Sequence, residues 1–157
     1  MNQRTDTKQR RTGKTKQEPE IGWTHAPRIE PGEYPAFSRA SKIYRDNQFR
    51  RWVCAVQFDV LASDLAGVLA RLTWFLNMGD GESPYAGRRS NYWLAWIKAN
   101  GAAPRRSDRL SPRVFRGRYA RVAVADTAKD FKQSPIPTDS AYSVIRRIVR
   151  WETGGGE

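Results

Sequence analysis

The sequence predicts a mainly β fold: a five-stranded Greek-key barrel with one helix between the third and fourth strands. Three observations predict it. The segment QFRRWVCAVQFDVLA (48–62) sets Trp52, Cys54, Val56, Phe58 and Val60 on one face and Arg51, Gln57 and Asp59 on the other, the period of two of a half-buried strand. One segment, NYWLAWIKAN, has helical spacing, with Ser90 before it to cap and Gly101 after it to terminate. The other apolar segments are short and β-rich, and Gly, Pro, Asp and Asn separate them.

The elements follow in order. Residues 1–31 are polar and basic and are broken by Pro19, Pro27 and Pro31. They cannot bury enough apolar surface to offset the entropy of ordering, so a disordered basic arm is expected, with Trp23 the one residue suited to docking. The domain is expected over 32–152. EYPAFSRASKIYR (33–45) reads as a strand, and Asp46-Asn47 as the turn of a hairpin with 48–62. After a turn at Ser63–Gly67, VLARLTWFLNM (68–78) alternates Val68, Ala70, Leu72, Trp74 and Leu76 with Leu69, Arg71, Thr73, Phe75 and Asn77. Two apolar faces would also fit a helix; β content and the flanking Gly67 and Gly79 favour a strand. Residues 79–89 are a loop, and the helix carries a stripe of Tyr92, Trp93, Trp96 and Ile97. PRVFRGRYARVAVAD (112–126) is the expected fourth strand, bent at Gly117. After a loop over 128–140, AYSVIRRIVRWE (141–152) is the fifth, and 153–157 form a flexible tail. Core packing is the first use expected for Trp52, Trp74, Trp93 and Trp96.

The formal charge is +12 over 157 residues. Residues 1–31 hold seven Lys/Arg against four acids, so most of the excess belongs to the fold. A surplus of this kind concentrates polyanions, of which nucleic acid is the usual one; an anionic membrane or an acidic protein is the other choice. Cys54 is the only cysteine and His25, in the arm, the only histidine. Intrachain disulfides and Cys-rich metal sites are thereby excluded, and nucleophile–histidine catalysis has no histidine inside the fold. Asp59, Asp64, Asp80, Glu82, Asp108 and Asp126 fall mostly at turns or strand ends, where backbone chemistry favours Asp. The expectation is no enzyme, no catalytic residue, no metal and no cofactor. RTGKTK (11–16) lacks the strand and helix start of a phosphate loop. With no secretory leader and no apolar run of about 18 residues, a soluble cytoplasmic protein is expected.

Strand, strand, strand, helix, strand, strand is the element order of the OB-fold. On that order, on the hairpin strand RWVCAVQFDVL and on the pairing of VFRGRYARVAV with AYSVIRRIVRW, residues 32–152 resemble OB-fold single-stranded-DNA-binding proteins of the phage and mobile-element kind. The chain departs from the housekeeping type at its end, TGGGE, where that type has an acidic tip that recruits partners. The resemblance implies a helix plugging the barrel and a ligand surface on strands two and three, rimmed by the loops between strands one and two and strands four and five. That surface would comprise Arg51, Arg71, Phe75 and Asn77, the first rim Tyr44, Arg45, Phe49 and Arg50, and the second rim Lys129, Phe131 and Lys132. Flat rings interleaved with cations are what a single strand needs, the rings for bases and the cations for phosphate. The expected partner is single-stranded DNA, or RNA, together with replication, recombination or mobile-element proteins; no membrane contact is expected, and the oligomeric state is open. Two other readings fit the charge. One is an adaptor or inhibitor, of the kind phages encode, that occupies a nucleic-acid groove on another protein. The other is a duplex binder that lays the arm in a groove.

Overall fold

The computed structural model describes residues 27–127 and 140–152, together with Pro19, Lys129, Ser134 and Pro135. The elements are β1 (Gly32–Asp46), β2 (Arg51–Leu61), β3 (Val68–Asn77), α1 (Asn91–Asn100), a 3₁₀ turn (Pro112–Phe115), β4 (Arg118–Asp126) and β5 (Ser143–Trp151). All five strands join one antiparallel sheet in the order β3-β2-β1-β4-β5. The expected arm beyond Pro27, apart from Pro19, and the tail 153–157 lie outside the described residues.

The central strand, β1, joins two halves of the sheet. Its first half pairs with β4 on one side, Gly32 opposite Val124 through Ser38 opposite Arg118. At Arg39 the register with β2 shifts by one residue, and beyond it β1 pairs with β2 alone as far as Asp46 opposite Arg51. A bulge of this kind bends a strand and raises its twist. Ser38, fully buried at the bend, holds it by donating to Arg118 O and accepting from Arg118 N.

The inward face read from β2 holds, while Val53, Ala55 and Asp59 of the face read as outward are buried as well. Cys54, Val56, Phe58 and Val60 are buried without exposure, and Ala70, Leu72 and Leu76 of β3 meet them across the ladder. Trp52 and Trp74 are only partly buried at the margins of this core.

The helix begins and ends where the sequence places it. Ser90 Oγ accepts from Trp93 N, and Gly101, at φ 82°, returns its N–H to Ile97 O. The buried stripe is Tyr92, Trp96 and Ala99, whereas Trp93 and Ile97 sit at its flank.

Two expectations are corrected. PRVF does not start β4. Ser111 caps a 3₁₀ turn at Arg113 N, proline stands in its first positions, and Gly117 at φ 66° separates the turn from the strand. The turn drives Phe115 into the centre of the molecule. There it stacks on Trp151 at 5.9 Å and meets Tyr92 at 5.9 Å and Trp74 at 6.0 Å edge-on. The plug is therefore shared between this turn and α1. Barrel closure is the second correction. β3 and β5 approach each other, but no ladder joins them. Trp74 and Trp151 stand between the two edges, and Lys98 of α1 donates at 2.7 Å to the carbonyl of Ile148, on the β5 side of the gap.

Candidate nucleic-acid interface

The register fixes which side chains share the outer face of β1–β2–β3. Lys42 lies opposite Ala55, which lies opposite Phe75; Ala40, Gln57 and Thr73 form the next row; Tyr44, Val53 and Asn77 the row before. All of these but Val53 and Asn77 line a shallow groove of about 360 Å³. Phe75 projects from it with 58% of its surface exposed, a large fraction for a phenyl ring in a strand. No carboxylate stands among the residues of these three rows.

Cations share this face. Lys42 Nζ lies 5.3 Å from the Tyr44 ring centroid, and the Arg51 guanidinium lies 5.1 Å from that of Phe49. Further along it, Arg71 and Arg39 share Asp59. Arg39 donates to Oδ2 at 3.1 Å, and Arg71 Nε stands 3.2 Å from Oδ1 without hydrogen-bond alignment. Asp59 is buried under the pair, and Arg71 remains 62% exposed. Two guanidiniums on one carboxylate leave a net positive charge two rows along the sheet from Phe75. The carboxylate holds Arg71 in place, which lowers the entropy lost on gripping a phosphate.

The four-residue turn between β1 and β2 brings part of the first rim to the same side. Asp46 Oδ1 accepts from Gln48 N and Phe49 N, and Arg50 takes a left-handed conformation at φ 53°. Arg50 and Phe49 are exposed here. Arg45 is not with them. It follows Tyr44 in a strand and so points to the opposite face, where it lies over Trp52 and donates to Gly81 O and Arg50 O. With Asp80 and Glu82 beside it, Arg45 braces the loop after β3, on the face away from Lys42 and Phe75. Asn77, exposed at the end of the row, accepts from Gly79 N and so shapes the same turn.

Lys129 is exposed and bridges to Pro135, while Phe131 and Lys132 lie outside the described residues. The second rim thus contributes one placed cation.

The alternation did not show a second feature, a groove of about 740 Å³ between β3 and β5, floored by Trp74 and Trp151. Thr73 and Phe75 belong to both grooves, and Arg71 to this one. Arg146, Arg147 and Lys98 add charge, and Leu94 and Tyr142 add exposed apolar surface. Residues from four separate segments compose it, so only the paired arginines of IRRIV hinted at it in the sequence.

No three His, Cys, Asp or Glu side chains gather as a metal site among the described residues. No helix among them is long and apolar enough to cross a membrane. No protein-family model and no curated protein sequence matches the chain.

Proposed function

We propose that this protein binds single-stranded nucleic acid, DNA in preference, with little sequence selectivity, on the outer face of β1–β2–β3. The observation that carries the reading is Phe75: an exposed ring, in rows free of carboxylates, with Lys42 in its own row and Arg51 and Arg71 further along the same face on either side. A base stacked on such a ring gains about 1–3 kcal/mol whichever base it is, because every base has a π face. The cations take the phosphates on either side. Asn77, Gln57 and Thr73 offer polar groups to base edges, too few to read a sequence.

The strand order supports an OB-like assignment. In an OB barrel β1 pairs with both β2 and β4, and the helix between β3 and β4 covers one end. Here β1 pairs in that way and α1 covers the β3–β5 gap. The long, bent β1 and the surface on β2 and β3 follow the same plan. Work on DNA exposed during replication, recombination or the transfer of a mobile element suits a binder of this kind.

The test is a titration with oligo-dT at two salt concentrations beside a duplex of equal length. Quenching of tryptophan or tyrosine emission by oligo-dT is expected. Lys42, Arg50, Arg51 and Arg71 would together give a log–log salt slope of about −3, at roughly −0.7 per neutralised phosphate. Tighter binding of the duplex, or no response to oligo-dT, would overturn the reading.

A further inference from the structure

The groove between β3 and β5 is open, apolar on its floor and cationic on its rim, and the chain itself leads into it. Pro27, the first residue of the continuous described chain, lines its end. There Pro27 O accepts from Ser143 N at 3.0 Å, and Ile29 N donates to Ser143 Oγ at 2.7 Å. Residues 27–29 therefore already run beside the start of β5, on the side away from β4. Arg28 anchors them by a two-point ion pair with Asp126, at 2.9 and 3.2 Å. Among the described residues nothing fills the groove, and Pro27 stands at its mouth.

The chemistry of the residues before Pro27 fits it. In QEPEIGWTHA (17–26), Ile21 and Trp23 are two apart and share one face of an extended chain. Glu18 and Glu20 are the only charged groups, facing a rim of Arg71, Lys98, Arg146 and Arg147, all exposed. Reach agrees as well. At about 3.3 Å per residue, Ser143 to Ile148 spans about 17 Å and Trp23 lies about 13 Å from Pro27. An extended chain laid along β5 would bring the indole between Trp74 and Trp151, near the point where Lys98 bonds Ile148 O.

We propose that residues 18–26 of this chain dock in the β3–β5 groove, with Trp23 seated over Trp74 and Trp151 and Glu18 and Glu20 on the cationic rim. The inference rests on the groove and not on nucleic-acid binding, although the docked segment would cover part of Arg71 and Phe75 and so compete with a strand for them.

The experiment uses the full chain labelled with 5-fluorotryptophan and observed by ¹⁹F NMR, with the Trp23 resonance assigned by Trp23→Phe. A soluble gadolinium chelate reports exposure. Docking predicts that Trp23 is broadened at least about tenfold less than a free indole, as burial of one large aromatic implies. It also predicts that Trp23→Ala shifts the Trp74 and Trp151 resonances. Leu94→Glu, at an exposed groove residue, should return Trp23 to free-indole broadening. Full exposure of Trp23 in the unmodified chain overturns the proposal. Protection that Leu94→Glu leaves unchanged overturns it too, because it places the indole elsewhere.

Discussion

Phe75→Ala separates a ring held out for a ligand from a ring that holds up the fold. With 58% of its surface exposed, Phe75 buries well under half of the 150–250 Å² typical of an aromatic side chain. At about 25 cal/mol per Å², its removal costs about 2 kcal/mol of stability at most, since the unfolded chain also shields part of that surface. Phe115, with no exposure and three aromatic partners, should cost about 3–5 kcal/mol, enough to unfold a domain of ordinary stability. Phe75→Ala should therefore fold and lose about 1–3 kcal/mol of oligo-dT affinity, roughly 5- to 150-fold. Fluorescence anisotropy of a labelled oligomer, with urea unfolding in parallel, measures both. Because stacking carries no charge, the loss should appear in the intercept of the salt plot and not in its slope. Arg71→Ala should flatten the slope by about 0.7, and Phe75→Trp should restore affinity. Wild-type affinity in a folded Phe75→Ala variant would refute the stacking argument. Unfolding of that variant would show that the ring belongs to the core.

Further outcomes follow from the local chemistry. Gly117 sits at φ 66° with open space where a Cβ would go, so Gly117→Ala should cost about 1 kcal/mol through backbone strain alone, read from the urea midpoint. Burial pushes the Cys54 thiol up from 9.0 to about 12, against a smaller opposing pull from Arg116, so Cys54 should resist a thiol reagent at pH 8 until the protein unfolds. Burial also raises Tyr92, with Cys54 adding to the effect. For both groups the folded state holds the proton more tightly, so their contribution is intact below pH 9 and falls as pH rises towards 12, by up to about 1.4 kcal/mol per unit for each group titrating. Alkaline unfolding should begin near pH 9 and shift upward in Cys54→Val. The hydrogen bond from Arg28 holds the Asp126 carboxyl below its ordinary 3.8, so any stability it adds is present above pH 3.8 and lost below; in Arg28→Ala its NMR titration should move back up.

What the sequence made legible was periodicity and caps. The inward face of β2 is legible because its apolar residues fall at every second position, although Val53, Ala55 and Asp59 on the other face are buried too. Ser90 and Gly101 announce their helix because the terminal N–H and C=O groups need those residues. Legibility failed where the deciding contact lies between distant segments. PRVF has the alternation of a strand, but Ser111 and Pro112 favour a helical turn, and the central aromatic cluster fixes that choice by drawing Phe115 inward. Asp59 reads as an outward polar residue. Its burial depends on Arg39, which a bulge delivers from β1, and on Arg71 from β3.

Tyr44 and Arg45 show what strand parity decides. Adjacent in sequence, they fall on opposite faces of a strand that continues to Asp46. A turn of only four residues leaves no slack to bring consecutive side chains to one side. The same parity makes the case for Phe75 stronger than composition could. Its facing follows from Leu72, Trp74 and Leu76 being held inward, and a slip of one residue would expose Leu72 and Leu76 together. The core therefore locks the ring outward, and the cost of turning it in is the cost of dismantling β3.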